Sequence, residues 1–203
     1  MIDANKPRQE ELQLGDEYNL RALGTTGMLA PEDEEARYDA LRLRAYPKGE
    51  DYQTCTVGEA FDWVRTVDEL IENISLDPAH PMFVVVFTSK LKPGNKEEHP
   101  EVVQMLHEHD ATAFRDAVDG GGKKFFGYFC DIANEAGEAR SYCFWSDPET
   151  AKVVSDSQAH GNALKMIEAY EYYSADKFMV FRNEHGVHLA NVRTGEIISI
   201  PSA

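Results

Sequence analysis

Proton-transfer chemistry needs a positioned base beside a cavity, and this chain offers two histidines for that task. His160 falls fifteen positions after Trp145, on a helical stretch, while His109 sits three residues after Leu106 and four before Ala113. A neutral imidazole accepts a proton near physiological pH or gives its lone pair to iron, so His160 reads as a base or as an axial haem ligand. The plainer alternative is a hydrogen-bonded histidine at a helix kink. His109 shares its helical stripe with Leu106 and Ala113, which turns it toward the sheet and toward the same cleft. Trp145 ends a strand, where its ring would wall a ligand cavity or simply fill the core. Phe87 and Phe114 stand with it as wall residues, or, with Met166, as a plug. Tyr170, Tyr172 and Tyr173 cluster at the end of the helical stretch, one packing and another, such as Tyr173, directing its hydroxyl inward.

Other chemistries lack their residues. His107-Glu108-His109-Asp110 has no histidine pair four apart on one helix face, so no metal site is read there, and His99 and His107 fall elsewhere around the helix. His185 and His188 straddle a turn as ordinary loop histidines. Gly120-Gly121-Gly122 precedes a strand, so it lacks the helix N-terminus that phosphate binding uses. There is no nucleophile elbow and no paired-carboxylate motif.

The elements that must position these groups run from residue 82 to 182. Met82 to Thr88 is an unbroken apolar and β-branched run, the pattern of a strand buried on both faces. Lys92-Pro93-Gly94-Asn95 turns the chain, Pro100 suits a first helical turn, and the glycine triplet stops that helix. Phe125 to Ile132 reads as a second strand, Asn134 to Gly137 as a turn, and Ala139 to Trp145 as the hairpin partner. Asp147 and Pro148 open a helix that extends to Tyr173 with a break near 157–161, and Phe178 to Phe181 is the fourth strand. The pattern is α+β: a ferredoxin-like β-α-β-β-α-β unit, with both helices on one face of an antiparallel sheet.

Phe144-Trp145-Ser146-Asp147 followed by Ala151, Ser157 and Ala159-His160, together with Phe87-Thr88-Ser89-Lys90 and Gly94-Asn95, resembles the antibiotic-biosynthesis-monooxygenase type of dimeric α/β barrel. The resemblance covers about half of the chain. It implies two sheets packed face to face as a homodimer, a cleft between each sheet and its helices, and either cofactor-independent oxygenation of a quinol-like aromatic or haem binding. In the haem-degrading branch a strand asparagine, a tryptophan and a helix histidine act together. Trp145 and His160 correspond to the last two with altered spacing, and Phe87 stands where the asparagine belongs, which removes a polar group.

Composition bounds the partners. A formal net charge of −16 and scattered Lys and Arg exclude nonspecific nucleic-acid binding and disfavour anionic membranes. Hydrophobic residues make up 42%, with no apolar run of membrane-span length. The start of the chain has no apolar leader segment, so the expectation is a cytoplasmic protein. Cys55, Cys130 and Cys143 lack metal-type spacing and read as small buried hydrophobes, with Cys130 and Cys143 as neighbours on paired strands.

Residues 1–80 carry 18 acidic against 8 basic residues, an acidic arm followed by helices. One helix runs from Pro31 through Leu41 and Leu43. Thr56-Val57-Gly58-Glu59 is a capping box ahead of the stripe Phe61, Val64, Val67, Leu70, Ile71 and Ile74, with Thr66 as an alternative restart that would leave 60–65 extended. This stripe requires cover from the unit at 81–182 or from a partner subunit. Residues 183–203 form a β extension around Gly186 and Thr194-Gly195, widening the sheet or crossing to another copy. The open sheet face, with Val84, Val86, Phe126 or Tyr128, also needs cover. Two functions fit: an oxygenase without cofactor acting on an aromatic substrate, or a noncatalytic oligomer whose arm and extra strands bind a partner. A haem-binding member is the third. A cleft lined by Trp145, His160 and His109 favours the first, and one plugged by Phe87, Phe114 and Met166 the second.

Overall fold

The computed structural model describes residues 34–95, 98–156 and 168–202. His160 and Met166 lie outside the described residues, as does the acidic arm up to residue 33. The central unit comprises β1 (Met82–Leu91), α4 (Pro100–Gly121), β2 (Phe125–Phe129), β3 (Glu138–Trp145), α5 (Pro148–Ser155) and β4 (Tyr170–Asn183). Ahead of it stand α1 (Glu34–Ala40), α2 (Val57–Ala60) and α3 (Trp63–Ile74), and behind it β5 (Gly186–Asn191) and β6 (Ile197–Pro201). The six strands lie in the order β2-β3-β1-β4-β5-β6, and every neighbouring pair is antiparallel. Strands β1 to β4 therefore keep the ferredoxin-like order, and the C-terminal hairpin widens the same sheet.

Helix limits follow local chemistry. The Asp147 carboxylate accepts a hydrogen bond from the Thr150 N–H at 2.8 Å, and Pro148 fills the first turn of α5. The Ser146 hydroxyl and then the Thr150 N–H hold the Asp147 carboxyl well below the usual carboxylate range. A depressed carboxyl contributes stability above its unfolded-state pKa, and that contribution is lost as the pH falls through the folded value. Asp147→Ala is expected to cost about 1 kcal/mol at neutral pH, read from urea unfolding, with the difference from wild type shrinking in acid.

Several sequence expectations are corrected. The helix after Asp147 ends at Ser155, and Tyr170 to Tyr173 lie on β4, which is 14 residues long rather than the four of Phe178 to Phe181. Strand β2 ends at Phe129, leaving Ile132 50% exposed in the connection. Asp131 explains the early end: its carboxylate accepts from the Tyr52 hydroxyl (2.5 Å), the Gln53 amide (3.1 Å) and the Arg140 N–H (2.9 Å), which pulls the chain off the ladder. Helix α1 stops at Ala40. Residues 41–43 run extended along the edge of β2, with Tyr128 N–H donating to Leu41 and Leu43 N–H donating to Tyr128. Gly127 permits this approach, because at its φ of +144° a Cβ would lie 2.8 Å from the Leu41 carbonyl oxygen.

The capping box forms as a side-chain pair, Thr56 hydroxyl to Glu59 at 2.7 Å, but α2 lasts only four residues. The chain is extended at Phe61, and α3 restarts at Asp62, not Thr66, with the Asp62 side chain capping Arg65 N–H. The expected stripe then meets the sheet of its own chain. Phe61, Val67, Leu70 and Ile71 share one core with Val84, Val86, Phe126, Phe144, Phe178, Val180, Val187 and Leu189, and Trp63 is fully buried at its centre. The sheet face that face-to-face pairing of two copies would use is thus covered in cis. Tyr128 points to the opposite face.

One buried cation pins this layer. Arg140, 4% exposed, donates to the carbonyls of Tyr52 (2.9 Å) and Cys55 (2.7 Å) and to the Thr88 hydroxyl (3.2 Å), fastening the loop before α2 to the sheet. Arg140→Met would leave those acceptors without their donor, at an expected cost of about 1–3 kcal/mol in urea unfolding.

Candidate functional site

Alternation along the strands sorts their side chains. On β1 the even residues Met82, Val84 and Val86 enter the core beneath α3, while Phe83, Val85, Phe87 and Ser89 face α4 and α5. Strand β3 repeats this with Ala139, Ser141, Cys143 and Trp145, and β4 with Tyr173, Ala175 and Lys177. Between this face and the two helices lies a cleft of about 690 Å³, in the size range of small-molecule sites.

Five of the six residues singled out from sequence border this cleft: His109, Trp145, Phe87, Phe114 and Tyr173. Trp145 is 3% exposed and forms the floor, its ring 4.7 Å from that of Phe125 and its indole N–H donating to the Cys143 sulfur at 3.0 Å. Phe114 is buried against Phe125 and Tyr128. Phe87 faces Tyr173 with ring centroids 6.3 Å apart, so both line the wall rather than plug the space. His109 is half-buried on α4. His107 borders the cleft as well, contrary to its expected place elsewhere around the helix.

The polar centre of the cleft is a group that sequence reasoning missed. The Tyr128 hydroxyl donates to Asp110 Oδ1, and Cys130 and Ser141 lie beside them. Desolvation above all pushes the Tyr128 phenol well up. The Cys130 thiol is exposed to the cleft yet enclosed by protein, and it too is pushed well up by desolvation and by Asp110. Tyr170 is raised to about 12, chiefly by burial. These groups are therefore proton-bearing at neutral pH, which makes them donors.

The expected neighbourhood of Cys130 and Cys143 is corrected by the register. Tyr128 stands opposite Cys143, and Cys130 lies beyond the end of β2. Cys143 is buried, with its thiol raised to about 12 by desolvation. Asp110 was legible in principle, because it follows His109 and falls four before Phe114 on α4. Its partner was not, since the pairing of Asp110 with Tyr128 depends on how α4 crosses β2.

His185 is exposed beside Glu184, and His188 contacts Asn183 and Ser199. Among the described residues no cluster of three or more His, Cys, Asp or Glu is arranged to hold a metal ion. Phe87 presents its ring to the cleft. No helix of the described residues is long and apolar enough to cross a membrane.

A family model described as PB2B2.08-like matches residues 31–193, which takes in α1 to α3, the ferredoxin-like unit and β5. No curated protein sequence matches the chain. Similar solved structures include a conserved protein from Methanosarcina mazei Go1, 12% identical with a TM-score of 0.40, the match covering 52% of this chain and 97% of the other. A dimeric protein of ferredoxin-like fold from Bacteroides fragilis NCTC 9343 is 14% identical, with a TM-score of 0.36 and coverage of 48% and 94%. A candidate antibiotic biosynthesis monooxygenase from Nitrosomonas europaea is 14% identical, with a TM-score of 0.36 and coverage of 49% and 89%.

Proposed function

The chain belongs to the PB2B2.08-like family, and from its geometry we propose that it binds a flat, mostly apolar small molecule between the sheet and helices α4 and α5. The observation that carries this reading is the cleft itself, walled by aromatic rings and holding a compact polar group at one place. Apolar walls with few convergent polar groups are the usual composition of ligand sites. Trp145, Phe87, Phe114 and Tyr173 are the proposed contact surfaces.

The finer reading is oxygenation without a cofactor. His109 is the proposed base, with His160, outside the described residues, as its companion in the sequence reading. Removal of a proton from an electron-rich ring system gives a carbanion that reacts with dioxygen. In a 1-naphthol ring the hydroxyl proton and the hydrogen at C4 are lost, C=O forms at both carbons, one oxygen atom of dioxygen is kept at C4, and the second leaves as water. A positioned base typically contributes 10²–10⁴-fold to such a step. An oxygen-electrode assay with 1,5-dihydroxynaphthalene tests it. Uptake above the protein-free rate, reduced at least about tenfold in His109→Ala, supports the oxygenase. Absence of uptake leaves a noncatalytic binding protein.

Self-association belongs to the same proposal. With α2 and α3 on one sheet face and α4 and α5 on the other, the surface proposed for a second copy is a strand edge, that of β4 over residues 170–177 rather than the outer edge of β6. Among the described residues that stretch pairs mainly with β1, and Tyr172 is 42% exposed. A dimer by light scattering, broken by Ala175→Pro, which removes an N–H on the β5 side of β4 rather than one bonded to β1, supports this mode, and a monomer removes it.

A further inference from the structure

Asp110 has a chemical consequence that the cleft's aromatic walls do not have. It is half-buried on α4, it borders the cavity, and the donors given to it, the Tyr128 phenol and the Cys130 thiol, are uncharged. No ion pair neutralises it among the described residues; the lysines bordering the cleft, Lys152 and Lys177, are both exposed and neither is paired with it. A carboxylate in such a place keeps most of its field, because the surrounding rings cannot screen it as water does. A second negative charge brought into the cleft meets that field with little relief. A hydroxyl or N–H brought to the same place meets an acceptor whose hydrogen bond is charge-assisted.

We infer that Asp110, oriented by Tyr128, selects the charge of the ligand: it accepts a hydrogen bond from an uncharged aromatic hydroxyl and rejects aromatic carboxylates. This rests on the proposed function of the cleft and adds the substrate class and the specificity-determining residue. Tyr128 is a positioning residue in this account. Its hydroxyl holds one carboxylate oxygen and fixes the side-chain rotamer against β2. An aromatic ammonium is the lesser ligand, since its desolvation costs more than that of a phenol.

Four probes of one shape make the test: naphthalene, 1-naphthol, 1-naphthoate and 1-naphthylmethylammonium, each titrated calorimetrically into the full chain. In the wild type 1-naphthol is expected to bind at least about tenfold more tightly than 1-naphthoate, and more tightly than the other two. Asp110→Asn keeps the side-chain shape and removes the charge, so 1-naphthoate gains at least about tenfold and the gap to 1-naphthol closes. Tyr128→Phe leaves the carboxylate in place and retains the discrimination against 1-naphthoate, which separates the charge from any general disturbance of the wall. Equal preferences in wild type and Asp110→Asn overturn the assignment while leaving the cleft a binding site. Tighter binding of the ammonium probe than of 1-naphthol overturns the choice of an uncharged ligand. Failure of all four probes to bind removes the cleft reading itself.

Discussion

Replacing Trp63 by alanine is expected to lower the unfolding free energy by about 3–5 kcal/mol, a large share of the 5–15 kcal/mol of an ordinary domain. The indole is fully buried, edge-on to Phe61 at 5.4 Å and tilted against Tyr142 at 5.2 Å, and its N–H donates to the Val57 carbonyl at 2.7 Å. Truncation removes its ring contacts and opens a cavity between α3 and the sheet. It also strands the Val57 carbonyl, so the loss falls on α2 as well as α3. Because the core beneath α3 contains residues from β1, β2, β3, β4 and β5, the whole chain is expected to unfold in one transition. Urea unfolding followed both by far-ultraviolet circular dichroism and by tryptophan fluorescence checks this. Coincident curves shifted to lower urea are the expected result. Loss of a helical fraction alone, with the sheet unfolding as in wild type, would mean that α1 to α3 merely rest on an independent unit.

The second large effect concerns binding. Ala113 projects from α4 into the cleft one position before Phe114. Ala113→Trp places an indole in the space proposed for the ligand, where it meets open volume rather than close-packed atoms. Overpacking is therefore avoided, and the change in stability is expected to be about 1 kcal/mol or less. Affinity for 1-naphthol should fall at least about a hundredfold, because the site is filled rather than reshaped. Calorimetric titration beside a urea curve on the same preparation separates the two effects. A variant that loses stability and affinity together would leave the location of the site unproven.

The sequence made the ferredoxin-like unit legible because its signals are local. The unbroken apolar run of β1, Pro100, and the Asp147-Pro148 start each specify an element without reference to the rest of the chain. Boundaries failed where tertiary contacts decide. Strand β2 ends at Phe129 because Asp131 is claimed by Tyr52, Gln53 and Arg140, two of them some eighty residues away. Leu43 leaves the helical pattern because the edge of β2 offers it backbone hydrogen bonds. The amphipathic stripe of α3 announced that something had to cover it, and the choice between its own sheet and a partner subunit was a question of topology.

The site divided along the same line. Large rings at strand positions, Phe87 and Trp145, and the apolar positions of α4 beside His109 are legible from periodicity, whereas the cleft between sheet and helices is what the family resemblance implies. Past its break near 157–161, the helical stretch that opens at Asp147 has no stop signal before the Tyr170 to Tyr173 cluster, and only the β1 pairing shows that Tyr173 faces inward from a strand. Asp110 escaped notice because a lone carboxylate on a helix with many charges reads as a solvated residue. What marks it out is Tyr128 across the cleft, which no spacing reveals.

The central claim is that the space between the sheet and α4–α5 is a ligand site, and calorimetric titration of 1-naphthol into the wild-type chain and into Ala113→Trp tests it most directly. Saturable binding of one molecule per chain, abolished by the substitution while the protein stays folded, is the result predicted here. Equal binding to both proteins, or binding to neither, would contradict it.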